Sequence, residues 1–257
     1  MQYPKVSVVI AVKKLNDYLK QCIDTCLKID YPDYEILVFP DKKINLENDK
    51  IEVIPTGRVS PGKKRNIALS YAKGEIMAFL DDDAFPREDW LKNATKYFND
   101  LEIAAVGGPA VTPERDSFTQ KVSGAVFLSP LNGKTVDRYW PGKRVRGVDD
   151  WPSVNLLVRR GDFSAVGGFN SRYWPGEDTK LCLDLSKKLN KKIVYAPDVL
   201  VYHHRRAGLF NHLKQIGRYG LHRGFFARRY PENSLKLVYF IPAVFLIFVA
   251  GGWIFLL

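Results

Sequence analysis

Residues 79–86 read Phe79-Leu80-Asp81-Asp82-Asp83-Ala84-Phe85-Pro86, and this stretch decides the fold. An apolar run predicts a strand over residues 75–80 that leads directly into three consecutive carboxylates, and Pro86 predicts that a helix begins there. Adjacent acids repel one another, so a fold that keeps three of them together needs a compensating cation. Alternate residues of an extended chain point to the same side, which brings Asp81 and Asp83 together. They predict a site for a hard divalent cation, and a solvated acidic turn is the alternative.

Strands and helices alternate on both sides of this stretch. A continuous apolar, β-branched run predicts a strand at Val6–Val12. Further short strands are predicted at Glu35–Phe39, Ile51–Ile54, Glu75–Leu80, Ile103–Val106, Asn155–Arg159, Ile193–Ala196 and Val199–His203. Helical periodicity predicts helices that begin near Asn16, Pro61, Pro86 and Glu177. Such alternation is typical of an α/β fold with a mostly parallel, doubly wound sheet. Ligands bind such sheets at the carboxyl ends of the strands, where the acidic cluster lies.

Positive charge is concentrated near the C-terminus. Residues 205–236 contain eight Lys or Arg and one acid, Glu232, in a chain of 257 residues with a net charge of +11. We expect this segment to form basic amphipathic helices on a membrane surface that contains anionic lipids. The cations expected at the lipid head groups are Arg223, Arg228, Arg229 and Lys236. Nucleic-acid binding is the alternative for a basic segment. The apolar run that follows favours a membrane, so no nucleic acid is expected as a partner.

Residues 237–257 form an uncharged run of 21 residues. As an α-helix they would extend about 31 Å, the thickness of a bilayer core, so they are predicted to be a transmembrane helix; a buried core helix is the alternative. The cations before this run predict that the preceding domain, residues 1–204, lies on the cytoplasmic side of the cell membrane. Three cysteines are too few for a disulfide framework and no signal peptide pattern is visible, which agrees with a reducing cytoplasm.

Six short motifs follow one another in an order that is more specific than any one of them. They are Ser7-Val8-Val9-Ile10, Lys64-Arg65-Asn66, Leu80-Asp81-Asp82-Asp83, Val166-Gly167-Gly168-Phe169, Gly176-Glu177-Asp178 and Gln215-x-x-Arg218-Tyr219. With these motifs the chain resembles the family 2 inverting glycosyltransferases over roughly Val6 to Tyr230. The resemblance implies a GT-A, Rossmann-like fold with a mixed, mostly parallel sheet. It also implies transfer of a sugar from a UDP- or GDP-sugar to a lipid-linked or glycan acceptor, and it makes residues 237–257 the first of several membrane helices.

The resemblance further implies a role for each motif. Asp81 and Asp83 would hold Mg²⁺ or Mn²⁺ on the donor diphosphate, and Asp178 would be the general base with Glu177 as its supporting neighbour. A plain helix cap is the alternative for the last two acids. The implied donor-binding residues are Val12, Asp41, Lys64, Arg65, Asn66, Asp81, Asp82, Gln215 and Arg218. The implied acceptor-binding residues are Asn155, Gly168, Phe169 and Trp174.

A histidine pair, His203 and His204, ends the last predicted strand. The resemblance implies that one of them supplies a third metal ligand or a diphosphate contact. Adjacent strand residues face opposite ways, so only one should point inward, and we prefer His203. A surface histidine pair is the alternative.

Two departures from the family pattern bear on substrate and product. A single acid, Asp41, follows the second strand where many relatives have two, which leaves base recognition open. Tyr219 stands where processive polymer synthases usually have Trp, which weakens any inference of processivity. A nucleotidyltransferase-like or non-catalytic membrane protein on the same fold is the alternative function. The absence of glycine from Val12-Lys13-Lys14-Leu15 argues against the first, and the three intact acids Asp81, Asp83 and Asp178 argue against the second.

Overall fold

The structure, a computed structural model, describes residues 3–132, 135–173 and 175–252. The strands in these residues are β1 (Val6–Ala11), β2 (Tyr34–Phe39), β3 (Ile51–Val53), β4 (Ile76–Asp81), β5 (Ala84–Pro86), β6 (Ile103–Gly107), β7 (Ala110–Val111), β8 (Arg146–Val148), β9 (Asn155–Arg159), β10 (Lys192–Tyr195) and β11 (Val201–His203). The helices are α1 (Asp17–Cys26), α2 (Pro61–Ile67), α3 (Trp90–Thr95), α4 (Phe118–Phe127), α5 (Arg160–Ala165), α6 (Glu177–Lys187), α7 (Leu209–Arg229), α8 (Pro231–Ser234) and α9 (Ile241–Gly252).

A mixed sheet with the order β3-β2-β1-β4-β9-β6-β10-β8 lies at the centre of the fold. The first four strands in this order are parallel, whereas β9 runs antiparallel to both β4 and β6. Both faces of the sheet carry apolar side chains, each packed into its own core cluster, as expected for a sheet covered by helices on both sides. The predicted α/β fold with a mixed, mostly parallel sheet is confirmed.

The register of the parallel strands brings the predicted ligand-binding ends together. Ala11 at the end of β1 pairs with Phe39 of β2 and with Asp81 of β4. The side chain of Asn16 then accepts a hydrogen bond from the Leu19 amide and caps α1, which therefore begins close to the end of β1. Loops from three neighbouring strands consequently meet above Asp81.

A second, three-stranded sheet with the order β5-β11-β7 lies directly after the acidic cluster. The prediction that a helix begins at Pro86 is wrong, because Ala84–Pro86 forms β5 and α3 begins only at Trp90. β5 is extended because it pairs antiparallel with β11, a partner more than a hundred residues later in the chain. This pairing sets His203 opposite Ala84 and so brings the histidine beside the acids.

The C-terminal segment differs from its prediction. Residues 237–257 were expected to be one transmembrane helix, and this is wrong: the structure has a 3-10 turn at Leu237–Phe240 followed by α9. Among the residues that the structure describes, no helix is both long and apolar enough to cross a membrane. The run is uncharged throughout, but its backbone tightens at the 3-10 turn, and α9 comprises 12 of the described residues where a span needs about 20. Residues 253–257 lie outside the described residues.

Candidate active site

Two acids and a histidine converge at the end of β4. One ligand atom from each of Asp81, Asp83 and His203 lies within 4.8 Å of the others. The His203 Nε2 atom is 3.2 Å from Asp83 Oδ1, and its other ring nitrogen is 2.8 Å from the Arg205 guanidinium. Two hard carboxylates with one imidazole form a donor set that suits Mg²⁺ or Mn²⁺. The residues present therefore fit the predicted metal.

The two histidines face opposite ways, as strand alternation predicts. The His204 ring is hydrogen-bonded to Asp116 and, at 2.9 Å, to Gln21. Its backbone N–H donates to the Asp83 carbonyl at 3.0 Å, which fixes the turn that carries the acid. The structure thus places His203, and not His204, at the acidic cluster.

The three consecutive acids have different surroundings. Burial acts to raise the pKa of Asp83, but the His203 imidazole beside it and the charge of Arg206 hold that pKa below its usual value. Asp82 lies apart and accepts a 3.0 Å hydrogen bond from Asn16. Burial raises the pKa of Asp82 to about 6, and the charges of Asp83 and Asp81 add to this effect. Only the first and third acids share the cluster with His203, since the ligand set excludes Asp82.

Arg65 of α2 links the acidic cluster to the start of α6. Its guanidinium donates to Asp81 Oδ1 at 2.5 Å and approaches Glu177 Oε1 at 3.5 Å. The same guanidinium lies over the Phe169 ring at 5.5 Å. The side chain is buried, so each of these carboxylates gains a counter-charge that water screens only weakly.

Lys64 joins the ends of β1 and β2. Its ammonium group donates to the Val12 carbonyl at 2.5 Å, to the Phe39 carbonyl at 3.2 Å and to the Asp41 carboxylate at 2.5 Å. Three donors thus meet three acceptors, which is how a buried lysine can be accommodated. The predicted donor-binding residues Val12, Asp41 and Lys64 therefore form one connected group.

Asn66 is the third consecutive residue of α2, after Lys64 and Arg65, whose side chain binds another segment of the chain. It donates to the Phe169 carbonyl and accepts from the Phe169 amide, each at 2.7 Å. Gly168, which precedes Phe169, has φ +70°. A Cβ at this position would lie 2.5 Å from Asn66 Oδ1, so this turn requires glycine. The Phe169 side chain is only 2% exposed and packs in the core beneath the Arg65 guanidinium.

The N-terminal turn of α6 carries the two acids predicted for catalysis. Burial and the neighbouring charge of Asp178 raise the pKa of Glu177 to about 7, against the opposing charge of Arg65. Asp178 accepts hydrogen bonds from the Thr179 amide at 2.8 Å and the Ser153 amide at 3.3 Å. Burial and the charge of Asp150 raise the pKa of Asp178, while the two amides oppose the shift. A half-buried carboxylate with a raised pKa is suited to accept a proton.

Asp150 is a residue that sequence reasoning missed. This buried carboxylate accepts from Arg138 and from Arg223, each at 3.0 Å, and from the Thr179 hydroxyl at 2.9 Å. Burial opposes its ionisation, but the two guanidinium groups hold its pKa well below its usual range. The sequence signal was slight: an acid pair, Asp149-Asp150, directly before a tryptophan.

The remaining predicted residues have other surroundings. Asn155 is fully buried; its side-chain oxygen accepts from Trp90, and its amide donates to the carbonyls of Pro109 and Val199. Gln215 of α7 donates to the Tyr219 hydroxyl at 2.9 Å, while Arg218 is exposed. Trp174 lies outside the described residues.

Two cations expected at lipid head groups are paired within the protein: Arg223 with Asp150, and Lys236 with Asp149.

Comparison with known proteins identifies the family. Residues 7–151 match the family described as glycosyl transferase family 2. The chain belongs to glycosyl transferase family 2. The match contains the first three of the six motifs, and membership supports a role in glycosyl transfer.

Relatives of this family 2 chain cover it to different extents. It is 29% identical over 178 residues to a pre-mycofactocin glycosyltransferase of Mycobacterium tuberculosis, covering 69% of this chain but only 37% of that protein. It is 22% identical over 258 residues to the dolichyl N-acetyl-alpha-D-glucosaminyl phosphate 3-beta-D-2,3-diacetamido-2,3-dideoxy-beta-D-glucuronosyltransferase of Methanococcus voltae, covering 90% of this chain and 77% of that protein. The chain therefore spans little more than a third of the mycobacterial relative.

A solved structure is similar over most of the family 2 chain. The mannosyltransferase PcManGT from Pyrobaculum calidifontis, in complex with GDP-Man and Mn²⁺, aligns with a TM-score of 0.64 at 18% identity. The alignment covers 88% of this chain and 65% of that chain. This likeness confirms the GT-A type of fold.

Proposed function

We propose that the protein is an inverting glycosyltransferase that requires Mg²⁺ or Mn²⁺ and moves a sugar from a UDP- or GDP-sugar to a lipid-linked or glycan acceptor. The observation that carries this proposal is the convergence of Asp81, Asp83 and His203 at the carboxyl end of β4. Family membership supports the reaction, and the GDP-Man and Mn²⁺ of the structural neighbour support the donor and the metal. The name of the Methanococcus relative supports a lipid-linked acceptor.

The donor half of the site is built on α2 and the strand ends beside it. Asp81, Asp83 and His203 would hold the divalent ion, which supplies charge neutralisation for the nucleoside diphosphate as it leaves. Asp41 is fixed by Lys64 at the end of β2, and there it would contact the nucleotide base. Arg65 keeps Asp81 in position and adds positive charge on the donor side.

The acceptor half is the N-terminal turn of α6. Asp178 removes the proton of the acceptor hydroxyl as that oxygen attacks the anomeric carbon from the face opposite the leaving group. A single displacement of this kind inverts the anomeric configuration. The two amides that bind Asp178 fix the direction of its carboxylate, and its raised pKa makes it a stronger base than an exposed aspartate.

We also propose that the catalytic region works at the cytoplasmic face of the cell membrane, with residues 205–236 in contact with anionic lipids. Helices α4 and α7 lie side by side, since the Ser123 hydroxyl donates to the Arg206 carbonyl at 3.0 Å and the Phe127 ring lies 5.4 Å from that of His212. Their outer faces expose Phe118, Val122, Val126, Leu209, Phe210, Leu213, Leu221 and Phe225. Exposed cations on the same two helices are Lys121, Lys214, Arg218, Arg228 and Arg229. Mixed apolar and cationic surfaces of this kind suit anionic bilayers.

The test of the catalytic proposal is a panel of UDP- and GDP-sugars, screened by thermal stabilisation and by release of nucleoside diphosphate. We expect one donor to stabilise the protein only when Mg²⁺ or Mn²⁺ is present. Asp178→Asn should keep that stabilisation but lose about 10²–10⁴-fold in turnover, because the carboxylate acts in the transition state.

Asp30→Asn is the matched control, since Asp30 is an exposed acid whose side chain pairs only loosely with Lys92, at 3.6 Å. This variant should retain full turnover. A protein that no donor stabilises with either metal would contradict the proposal. So would an Asp178→Asn variant that keeps most of its turnover.

A further inference from the structure

Helix α7 is linked to the start of α6 at two points, once directly and once through Asp150. The Phe226 side chain is buried against Gly176, where an added Cβ would lie 3.1 Å from the ring. Three residues before Phe226, the Arg223 guanidinium is 3.0 Å from Asp150 Oδ2, and Asp150 Oδ1 accepts from the Thr179 hydroxyl. Gly176 and Thr179 flank the two acids of α6, so the helix is held on both sides of Asp178.

Both groups that orient Asp178 are tied to Asp150. The Thr179 amide donates to one oxygen of Asp178, and the hydroxyl of the same threonine is bound by Asp150. The Ser153 amide donates to the other oxygen and lies only three residues after Asp150 in the chain. A change at Asp150 therefore reaches both hydrogen bonds of the base.

Asp150 is in turn fixed by two cations. Arg138 and Arg223 both approach its Oδ2 at 3.0 Å, and the carboxylate itself is buried. Burying a charge is costly unless it is paired and hydrogen-bonded, so the acid can stay ionised only while these guanidinium groups remain in place. Because Arg223 belongs to α7, the position of that helix and the position of Asp150 depend on each other.

We propose that Asp150 and Arg223 are positioning residues for Asp178, and that through them α7 sets the orientation of the base in the acceptor half of the site. This inference depends on the proposed role of Asp178 as the general base. It differs from a plain stability role because it assigns the loss to turnover and not to donor binding.

Four variants test the inference: Asp150→Asn, Arg138→Gln, Arg223→Gln and Arg223→Lys. Asp150→Asn keeps an oxygen for the Thr179 hydroxyl but removes the charge, and we expect kcat to fall about 10²-fold, as for a small misplacement of a reacting group. Arg223→Gln should show a smaller fall in kcat, which Arg223→Lys partly restores. Donor affinity, measured by titration with nucleoside diphosphate and Mn²⁺, should stay unchanged in all four.

The pH profile of kcat/KM gives a readout that a merely structural role would not move. The charged and titratable groups around Asp178 are Asp150, Arg138, Glu177, Tyr139, Tyr219 and Cys182. The negative charge of Asp150 opposes ionisation of Asp178, and the positive charge of Arg138 favours it. The acidic limb should therefore move to lower pH in Asp150→Asn and to higher pH in Arg138→Gln.

Arg228→Gln is the control on the same helix, because the Arg228 side chain is exposed. It should leave kcat and the pH profile unchanged. If Asp150→Asn does not fold, the kcat of Arg223→Gln tests the inference instead, because Arg138 still pairs with Asp150 when Arg223 is replaced. An unchanged kcat in Arg223→Gln would overturn the inference. So would acidic limbs of Asp150→Asn and Arg138→Gln that lie at the same pH. If Asp178→Asn itself stays active, the proposed function has failed instead.

Discussion

Arg65 donates a hydrogen bond of 2.5 Å to Asp81, the first acid of the cluster. The same buried guanidinium lies 3.5 Å from Glu177 at the start of α6. One cation thus connects the strand end assigned to the donor with the helix end assigned to the base. Since water cannot screen either contact well, the arrangement of both halves depends on this side chain.

Removal of Arg65 should be strongly destabilising. Arg65→Met leaves Asp81 and Glu177 without their counter-charge, and breaking a buried pair in this way costs about 3–5 kcal/mol. Urea unfolding measures the loss. The control is Lys20→Met, which removes an exposed ion pair with Asp17 and should cost less than about 1 kcal/mol. Equal losses in the two variants would contradict the burial of Arg65 between two acids.

Glu177 makes stability depend on pH in a defined direction. Its pKa rises from 4.5 to about 7 in the fold, so the native state holds a proton that the unfolded chain has lost. The stabilisation by this group is complete below pH 4.5 and is lost as the pH rises through about 7. Glu177→Gln should remove this dependence, which amounts to up to roughly 3 kcal/mol.

The measurement is urea unfolding of both proteins across this pH window in metal-free buffer. The difference in unfolding free energy between Glu177→Gln and the wild type should grow in favour of the variant as the pH rises. A constant difference would show that Glu177 titrates near its ordinary value.

The turn beside Asn66 should tolerate no side chain at its second glycine. Gly168→Ala places a methyl group 2.5 Å from Asn66 Oδ1 at a φ of +70°, so we expect a cost of about 1–3 kcal/mol in thermal or urea unfolding. Gly161→Ala is the control, because this glycine lies in α5 with open space around it. That change should be neutral or stabilising by up to about 1 kcal/mol. A similar loss at both positions would count against the turn geometry.

Membrane contact should depend on the outer faces of α4 and α7. Phe210 is 86% exposed and Phe118 is 78% exposed. Phe210→Ser with Phe118→Ser should weaken binding to anionic vesicles by about tenfold or more, because full burial of one such side chain contributes about 1.5–3 kcal/mol. Leu101→Ser is the control, since Leu101 is 70% exposed but precedes β6 at the opposite end of the strands. Vesicle flotation at low and high salt measures both effects.

The membrane proposal fails if the Leu101 variant loses as much binding as the double variant. It also fails if the wild type binds neutral vesicles as well as anionic ones, because the exposed cations would then contribute nothing.

The local patterns of the sequence predicted much of the sheet and of the acidic cluster. The short apolar runs predicted β1, β2, β4 and β9 to within a residue or two, because strands buried on both faces are apolar nearly throughout. The alternation of side chains also separated His203 from His204 correctly. Both inferences depend only on residues close together in the chain.

Long-range contacts explain what was missed. Ala84–Pro86 is a strand only because β11 pairs with it, and Asp150 is important only because Arg138 and Arg223 reach it from distant segments. The predicted transmembrane helix was wrong for a different reason: hydropathy gives the length of an apolar run, not the length of the helix within it. The roles of the individual donor and acceptor residues stay predictions.

The most direct test of the account is the rate of glycosyl transfer as a function of Mn²⁺ concentration, measured on chelator-treated protein with the donor found in the screen. We predict no transfer without metal and a saturable rise in rate with Mn²⁺. The Asp83→Asn variant, which lacks one charged oxygen of the cluster, should need far more Mn²⁺ to reach half of its maximal rate. Transfer that persists after chelation, with the same Mn²⁺ response in Asp83→Asn as in the wild type, would contradict the assignment of Asp81, Asp83 and His203 as the metal site.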